Sequence, residues 1–204
     1  MKVTRLEPVT KTKYKVYLDE QFAFVLYKGE LSRYKIKEDA EVSQELMEQI
    51  KNEVLVKRAK LRALQLLNYM DRTEQQLRDR LKRDLYPEDI VELAVEYVKS
   101  FGYVGDYGYA KRYVESKRTS KSKEEIRAGL IQKGVSKETI QLVLSECYEE
   151  QGDLMAIKNI LEKKRFVVDT ATDEEKRKIF AYLLRKGFRY GDISQVIQVS
   201  FWNA

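Results

Sequence analysis

The chain has 204 residues, 43% hydrophobic and 35% charged, with a formal net charge of +6, no histidine, one cysteine and two prolines. That balance, with a mean hydropathy of -0.56, describes a folded chain rather than a disordered one. It excludes an internal disulfide framework and removes the commonest general base and metal ligand, so neither catalysis nor a metal or other cofactor is expected.

Residues 1 to about 42 alternate apolar and polar positions through Val3, Leu6, Tyr14, Val16, Leu18, Phe22, Phe24 and Leu26. The spacing predicts β-strands with a hairpin turn near Asp19, and a further short strand at Tyr34-Lys35-Ile36-Lys37. A small sheet docked on a helical body is the simpler reading; a separate binding module is the alternative. The longest apolar run, residues 22–27, is too short to cross a bilayer. Met1-Lys2-Val3-Thr4-Arg5 leads into no apolar stretch, so a cytoplasmic protein without a membrane partner is expected.

Ser43 is placed to cap a helix through Leu46, Ile50, Val54, Ala59, Ala63, Leu67 and Met70, either continuous or kinked. Beyond it one pattern recurs. Leu77, Leu81 and Leu85 align with Ile126, Leu130 and Gly134, and again with Ile179, Leu183 and Gly187. Each set is followed by a further apolar stripe: Ile90, Leu93, Ala94, Tyr97, Val98; then Ile140, Val143, Leu144, Cys147, Tyr148; then Ile193, Val196, Ile197. Thr73 with Gln76, Ser122 with Glu125 and Thr172 with Glu175 each fit a reciprocal capping box. Gly134 and Gly187 supply left-handed helix stops. Pro87 suits the first turn of the next helix. In the middle unit Asp106 opens a helix with Tyr109, Ala110, Tyr113 and Val114 on one face, and Ile131 joins Ile126 and Leu130 on the next.

A period of about 50 residues, each unit a helical triplet, is the signature of a tandem array. The expected fold is mainly α, with three tandem three-helix repeats in an elongated array behind a small N-terminal β-hairpin or sheet. The expected boundaries are 1–56 for the extension and linker helix, then 57–102, 103–150 and 151–204 for the repeats, with joints near Ser100–Gly102 and Gln151–Asp153. The terminal Phe201-Trp202 is expected to tuck against the last triplet.

Little chemistry is encoded. Cys147 lies on an apolar stripe and reads as a core residue. Gly102, Gly105 and Gly108 lack the Gly-Lys-Ser ending and preceding strand of a phosphate loop. Binding is better supported, because basic residues gather around each second helix. We single out Arg72, Arg78, Arg83, Lys117, Arg118, Arg127, Lys164 and Arg185. The plain reading is solvated faces paired with acids. Recurrence of basic spots at one place in each unit instead suits a periodic polyanion or a helical protein polymer. Tyr103, Tyr107, Tyr109 and Tyr113 are expected to pack with their hydroxyls wet, base stacking being the weaker reading.

The run Phe101-Gly102-Tyr103-Val104-Gly105-Asp106-Tyr107-Gly108-Tyr109-Ala110-Lys111-Arg112-Tyr113-Val114, continued by Ile126, Leu130 and Lys133-Gly134-Val135, resembles the RecX family. Arg72-Thr73-Glu74 before Leu77 is similar to that family's opening motif. Ser122 stands where a glycine is common in it, and the Lys-Gly step is missing from the first repeat. The resemblance implies a non-enzymatic regulator that binds the RecA–single-stranded-DNA filament and inhibits strand exchange and ATP hydrolysis in recombination and repair; a monomer is expected. A basic helical-repeat protein that binds single-stranded nucleic acid directly is the alternative. The eight basic residues come from the charge pattern, not from a family motif.

Overall fold

The computed structural model describes residues 1–148 and 151–197. The acidic pair Glu149-Glu150 and the apolar Phe201-Trp202 lie outside them. The chain divides into two compact units, Met1–Gly105 and Asp106–Ala204.

In the first unit β1 (Val3–Pro8), β2 (Lys13–Leu18) and β3 (Gln21–Tyr27) form an antiparallel sheet in sequence order. The β2–β3 link is a two-residue turn in which Asp19 and Glu20 take φ of 46° and 68°. Left-handed conformations at both central positions match the twist of the strands they join. Val3, Val16, Leu18, Phe24 and Leu26 are buried, and the sheet shares one continuous core with the helices that follow. It is therefore docked on them rather than standing apart.

Helix α1 (Lys28–Arg33) follows β3 directly. The expected strand at Tyr34–Lys37 is instead the end of this helix. Lys35 adopts φ 55°, and the Ile36 N–H donates back to the Leu31 carbonyl at 2.9 Å. Tyr34 and Ile36 are both buried. Burial at i and i+2 looks the same on a strand and across such a turn, which is why the period misleads here.

Ser43 caps α2 (Gln44–Ile50) by accepting from the Leu46 N–H at 3.2 Å. The helix runs on through a wide π turn, Lys51–Leu55, into α3 (Val56–Tyr69). Its buried residues are Ile50, Leu55, Ala59, Ala63 and Leu66. The step from Ile50 to Leu55 is longer than an α-helical stripe permits, and it falls where the turn is widened. Helices α4 (Glu74–Arg83) and α5 (Glu88–Ser100) complete the triplet. On α5 the buried set is Ile90, Val91, Ala94, Val95 and Val98, whereas Leu93 is 45% exposed. Because α5 lies against both α3 and α4, its stripe widens toward Val91 and Val95 instead of toward Leu93.

The second unit holds α6 (Asp106–Lys117), α7 (Lys123–Gln132) and α8 (Lys137–Cys147), then α9 (Gly152–Lys163), α10 (Asp173–Arg185) and α11 (Tyr190–Val196). Each triplet has its own core. Ala110, Val114, Ile126, Leu130, Ile140, Val143 and Leu144 build the first, with Cys147 packed against it. Ala156, Ile157, Ile160, Phe180, Leu183 and Ile193 build the second. Ile131, expected on the buried side of α7, is 48% exposed. Ile126 and Leu130 fill the α6–α7–α8 interface and leave Ile131 a position too far round the helix.

The second helix of every triplet ends the same way. Leu85, Gly134 and Gly187 take φ of 67°, 82° and 81°. The next residue's N–H then donates back into the helix: Tyr86 to the Leu81 carbonyl at 3.2 Å, Val135 to Leu130 at 3.1 Å, Phe188 to Leu183 at 3.2 Å. These bonds satisfy carbonyls that a bare helix end leaves orphaned. Leu85 thus does a glycine's work at a steric cost of roughly 1–2 kcal/mol. Helix α9 closes alike at Arg165, φ 54°. Pro87 stands just outside α5 as its cap, one residue before the first turn.

Candidate partner-binding surface

Thr73 and Thr172 form the reciprocal boxes their sequences predict. Ser122 does only half of this. Its hydroxyl accepts from the Glu125 N–H at 3.0 Å, but the Glu125 side chain turns away to Lys121, at 2.9 Å, and Lys186, at 3.4 Å. Burial pushes the Glu125 carboxyl up, and the two lysines outweigh it and hold it below the ordinary glutamate value. The fully buried Ser122 hydroxyl donates to the Lys186 carbonyl at 2.6 Å. This joins the start of α7 to the end of α10. A Cβ at Gly187 would meet Ser122 Oγ at 3.1 Å, closer than ordinary contact, and the φ of 81° there favours glycine as well. On the same side Asp153 accepts from the Lys123 N–H at 3.0 Å and from the Tyr148 hydroxyl at 2.6 Å. Burial, then the Asp153 bond, raises the Tyr148 pKa far above its ordinary value. The two triplets of this unit are thus tied by a set of polar contacts.

Around that joint the structure brings together three of the eight basic residues. Arg185 lines a groove of about 530 Å³ with Glu124, Glu125, Tyr182 and Lys186. Lys164 lies 4.4 Å above the Tyr182 ring, a cation–π contact. Arg127 pairs with Glu124 at 3.6 Å, while its buried Nε makes no hydrogen bond. Lys117 and Arg118 stand at the end of α6 and do not line this groove; an Arg118 Nη reaches the Cys147 carbonyl at 3.4 Å.

The three candidates of the first unit differ in kind. Arg78 is an internal tie. Its Nε donates to both Glu92 oxygens at 2.9 and 3.1 Å and its Nη1 to Glu74 at 3.4 Å, and its pKa is raised chiefly by the Glu92 bond. Arg72 has a buried Nε without a hydrogen-bond partner. Arg83 is exposed and lines a cleft of about 530 Å³ between the sheet and the helices. Lys13, Tyr27, Arg58, Arg62 and Asp84 share that cleft. Sequence reasoning missed Lys13 and Tyr27, because a sheet with balanced charge gave no sign of which side chains would face the helices. Of the crowded tyrosines, Tyr109 and Tyr113 pack on the core of the middle triplet. Tyr107 is 43% exposed and donates to Glu146 at 2.5 Å. Tyr103 is 57% exposed and stacks on Phe101 with 5.8 Å between centroids.

Among the described residues no group of three or more His, Cys, Asp or Glu is placed to hold a metal, and no helix is long and apolar enough to cross a membrane.

Comparison with known proteins assigns the helical triplets. Residues 59–97 match the first three-helix domain of RecX, 106–144 the second and 151–197 the third. The chain is 32% identical over 202 residues to a protein named regulatory protein RecX from Caldanaerobacter subterraneus subsp. tengcongensis, covering 98% of this chain and 100% of that one. It is 29% identical over 201 residues to the regulatory protein RecX of Clostridium botulinum (strain Eklund 17B / Type B), covering 97% and 95%. A crystal structure of regulatory protein RecX aligns with a TM-score of 0.62 at 26% identity, over 97% of this chain and 98% of the other. That of RecX from Lactobacillus salivarius gives 0.59 at 24% identity over 71% and 95%, a likeness of fold. Matching domains in the same order, with near-complete mutual coverage, show that the chain belongs to the RecX family of regulatory proteins.

Proposed function

We propose that this protein binds the RecA filament on single-stranded DNA and lowers its recombinase and ATPase activity. The observation that carries the reading is the tandem order of three matched three-helix domains, each closing its second helix with the same left-handed stop. A repeated module suits a partner that itself repeats. Several weak contacts on one chain gain through effective concentration. Arg83, Arg118, Lys164 and Arg185 are exposed and are the side chains offered for contact. Lys117 and Arg127 are half-buried and support them. Arg72 and Arg78 act chiefly inside the fold. The protein works as a monomer in the cytoplasm and needs no cofactor.

The test is RecA ATP turnover on single-stranded DNA as purified protein is added. Turnover falls with added protein if the reading is right; turnover unchanged at stoichiometric excess refutes it. A second reading, direct binding of single-stranded nucleic acid, is favoured by Arg83 and Arg185, exposed cations that pair with no carboxylate among the described residues. Tight, steeply salt-dependent binding of free DNA together with unaffected turnover would select it.

A further inference from the structure

Of the residues that line the cleft of the first unit, the filament reading uses only Arg83. One wall is the sheet, with Lys13 and Tyr27; the other is the helical triplet, with Arg58, Arg62 and Arg83. Two of these cations are fixed in place. Arg58 is held by Glu30 and by the Val25 carbonyl at 3.2 Å, and lies 4.6 Å from the Tyr27 ring centre. Arg62 gives its Nε to Asp84 at 2.7 Å. A guanidinium that spends one edge on a carboxylate keeps further N–H donors for a second acceptor. Among the described residues neither of the other two makes an ion pair: Lys13 lies 5.1 Å from the Tyr27 ring centre, and the nearby carboxylates Asp84 and Glu88 pair with Arg62, Arg80 and Lys82 rather than with Arg83. Four cations against two acids leave the cleft positive, with the excess on opposite walls. Apolar surface lies beside this charge: Leu61, 62% exposed, and Val9, 41% exposed, both line the cleft.

We propose that the cleft between the N-terminal sheet and the first helical triplet binds the phosphodiester backbone of single-stranded DNA. Preset guanidinium groups and two uncompensated cations meet the phosphates, and the apolar rim meets sugars and bases. Charge and apolar surface alternate along a nucleotide strand at every step, as they do across this cleft. An acidic peptide would match the cations alone and leave the apolar rim of Leu61 and Val9 without a partner. The N-terminal sheet thereby becomes half of a binding site. The inference rests on the filament reading only for the presence of single-stranded DNA nearby.

The experiment is fluorescence anisotropy of a labelled oligothymidylate titrated with the full chain at several salt concentrations, with no recombinase present. Failure here therefore leaves the filament reading to its own ATP-turnover test. The double variant Lys13→Glu/Arg83→Glu should bind about tenfold more weakly, and its salt slope should flatten by about 1.4, the loss of two single-strand phosphate contacts. Neither side chain makes an ion pair among the described residues, so far-UV circular dichroism and melting temperature should stay those of the wild type. If the double Glu variant fails that check, Lys13→Gln/Arg83→Gln replaces it, with an expected flattening of the same sign. The comparison variant Lys137→Glu/Lys158→Glu makes the same change in net charge on exposed positions outside the cleft. It should leave affinity within about twofold. Equal losses in both double variants, or wild-type affinity in the cleft variant, overturn the proposal. So does binding of labelled poly-glutamate, but not of oligothymidylate, that depends on Lys13 and Arg83; the cleft would then be a site for acidic peptide.

Discussion

Replacing Ser122 with alanine removes two things at once, and the structure allows them to be separated. The hydroxyl caps α7, a role worth about 1 kcal/mol. It also donates to the Lys186 carbonyl at 2.6 Å from a fully buried position. Losing that bond costs about 1 kcal/mol more, and up to about 2 if the carbonyl finds no water. The total expected for Ser122→Ala is about 2–3 kcal/mol. Ser136 provides the reference. It caps α8 by accepting from the Thr139 N–H at 3.2 Å and donates to the Thr139 hydroxyl at 2.9 Å, both on an exposed surface where water can replace it, so Ser136→Ala should cost only about 1 kcal/mol. Ser122→Gly refines the comparison, because glycine is itself a tolerated cap and still loses the bond to Lys186. Urea unfolding followed by far-UV circular dichroism reads all three. With a slope of about 2 kcal/mol per molar, Ser122→Ala should lower the midpoint by about 1 M and Ser136→Ala by about half that. If the two alanine variants agree within about 0.5 kcal/mol, the bond between the triplets contributes nothing and the joint is not held as described.

Arg165→Gly relieves a left-handed backbone at an exposed residue and should raise stability by about 1 kcal/mol, read as a higher melting temperature. Arg78→Glu places a third carboxylate beside Glu74 and Glu92 and should cost about 3 kcal/mol in urea unfolding; a neutral result would mean that the side chain is free to serve a partner. Glu125 titrates below its ordinary value when folded, so its stabilisation is present above the unfolded value and is lost as pH falls through the folded one. The stability gap between wild type and Glu125→Gln should accordingly be widest near neutral pH and shrink on acidification below about pH 4, measured as melting temperatures across the range.

The helical stripes, caps and glycine stops were legible because each is local. A run such as Ile126, Leu130, Gly134 states a face and an end within nine residues. Other features were not legible, each for its own reason. Leu85 and Arg165 stop helices in a conformation that sequence reading reserves for glycine, so only the backbone reveals them. Glu125 has the spacing of a capping-box partner, but Lys186, distant in sequence, draws it away. Arg78 and Arg83 look alike in a charge count, yet one is bound by Glu74 and Glu92 and the other faces solvent. Charge pattern locates basic surface only where no acid from another helix has already claimed it. The cleft is the extreme case, since Lys13 and Arg83 come from strand and helix stretches that nothing in the sequence couples.

The widened turn at Lys51–Leu55 bears on which lengths of this helix the core will accept. Leu55 comes five positions after the buried Ile50, where a step of four would close an ordinary turn over the same face. Removing one exposed residue there, such as Asn52, would therefore let the strand-side and triplet-side portions of the helix fuse into a regular spiral with their greasy seam still aligned. The same excision one turn later, among Lys57 to Arg62, would swing Ala63 and Leu66 out of the interior. The π turn is thus a point of slack, where this helix should lose a residue with its buried side still in register.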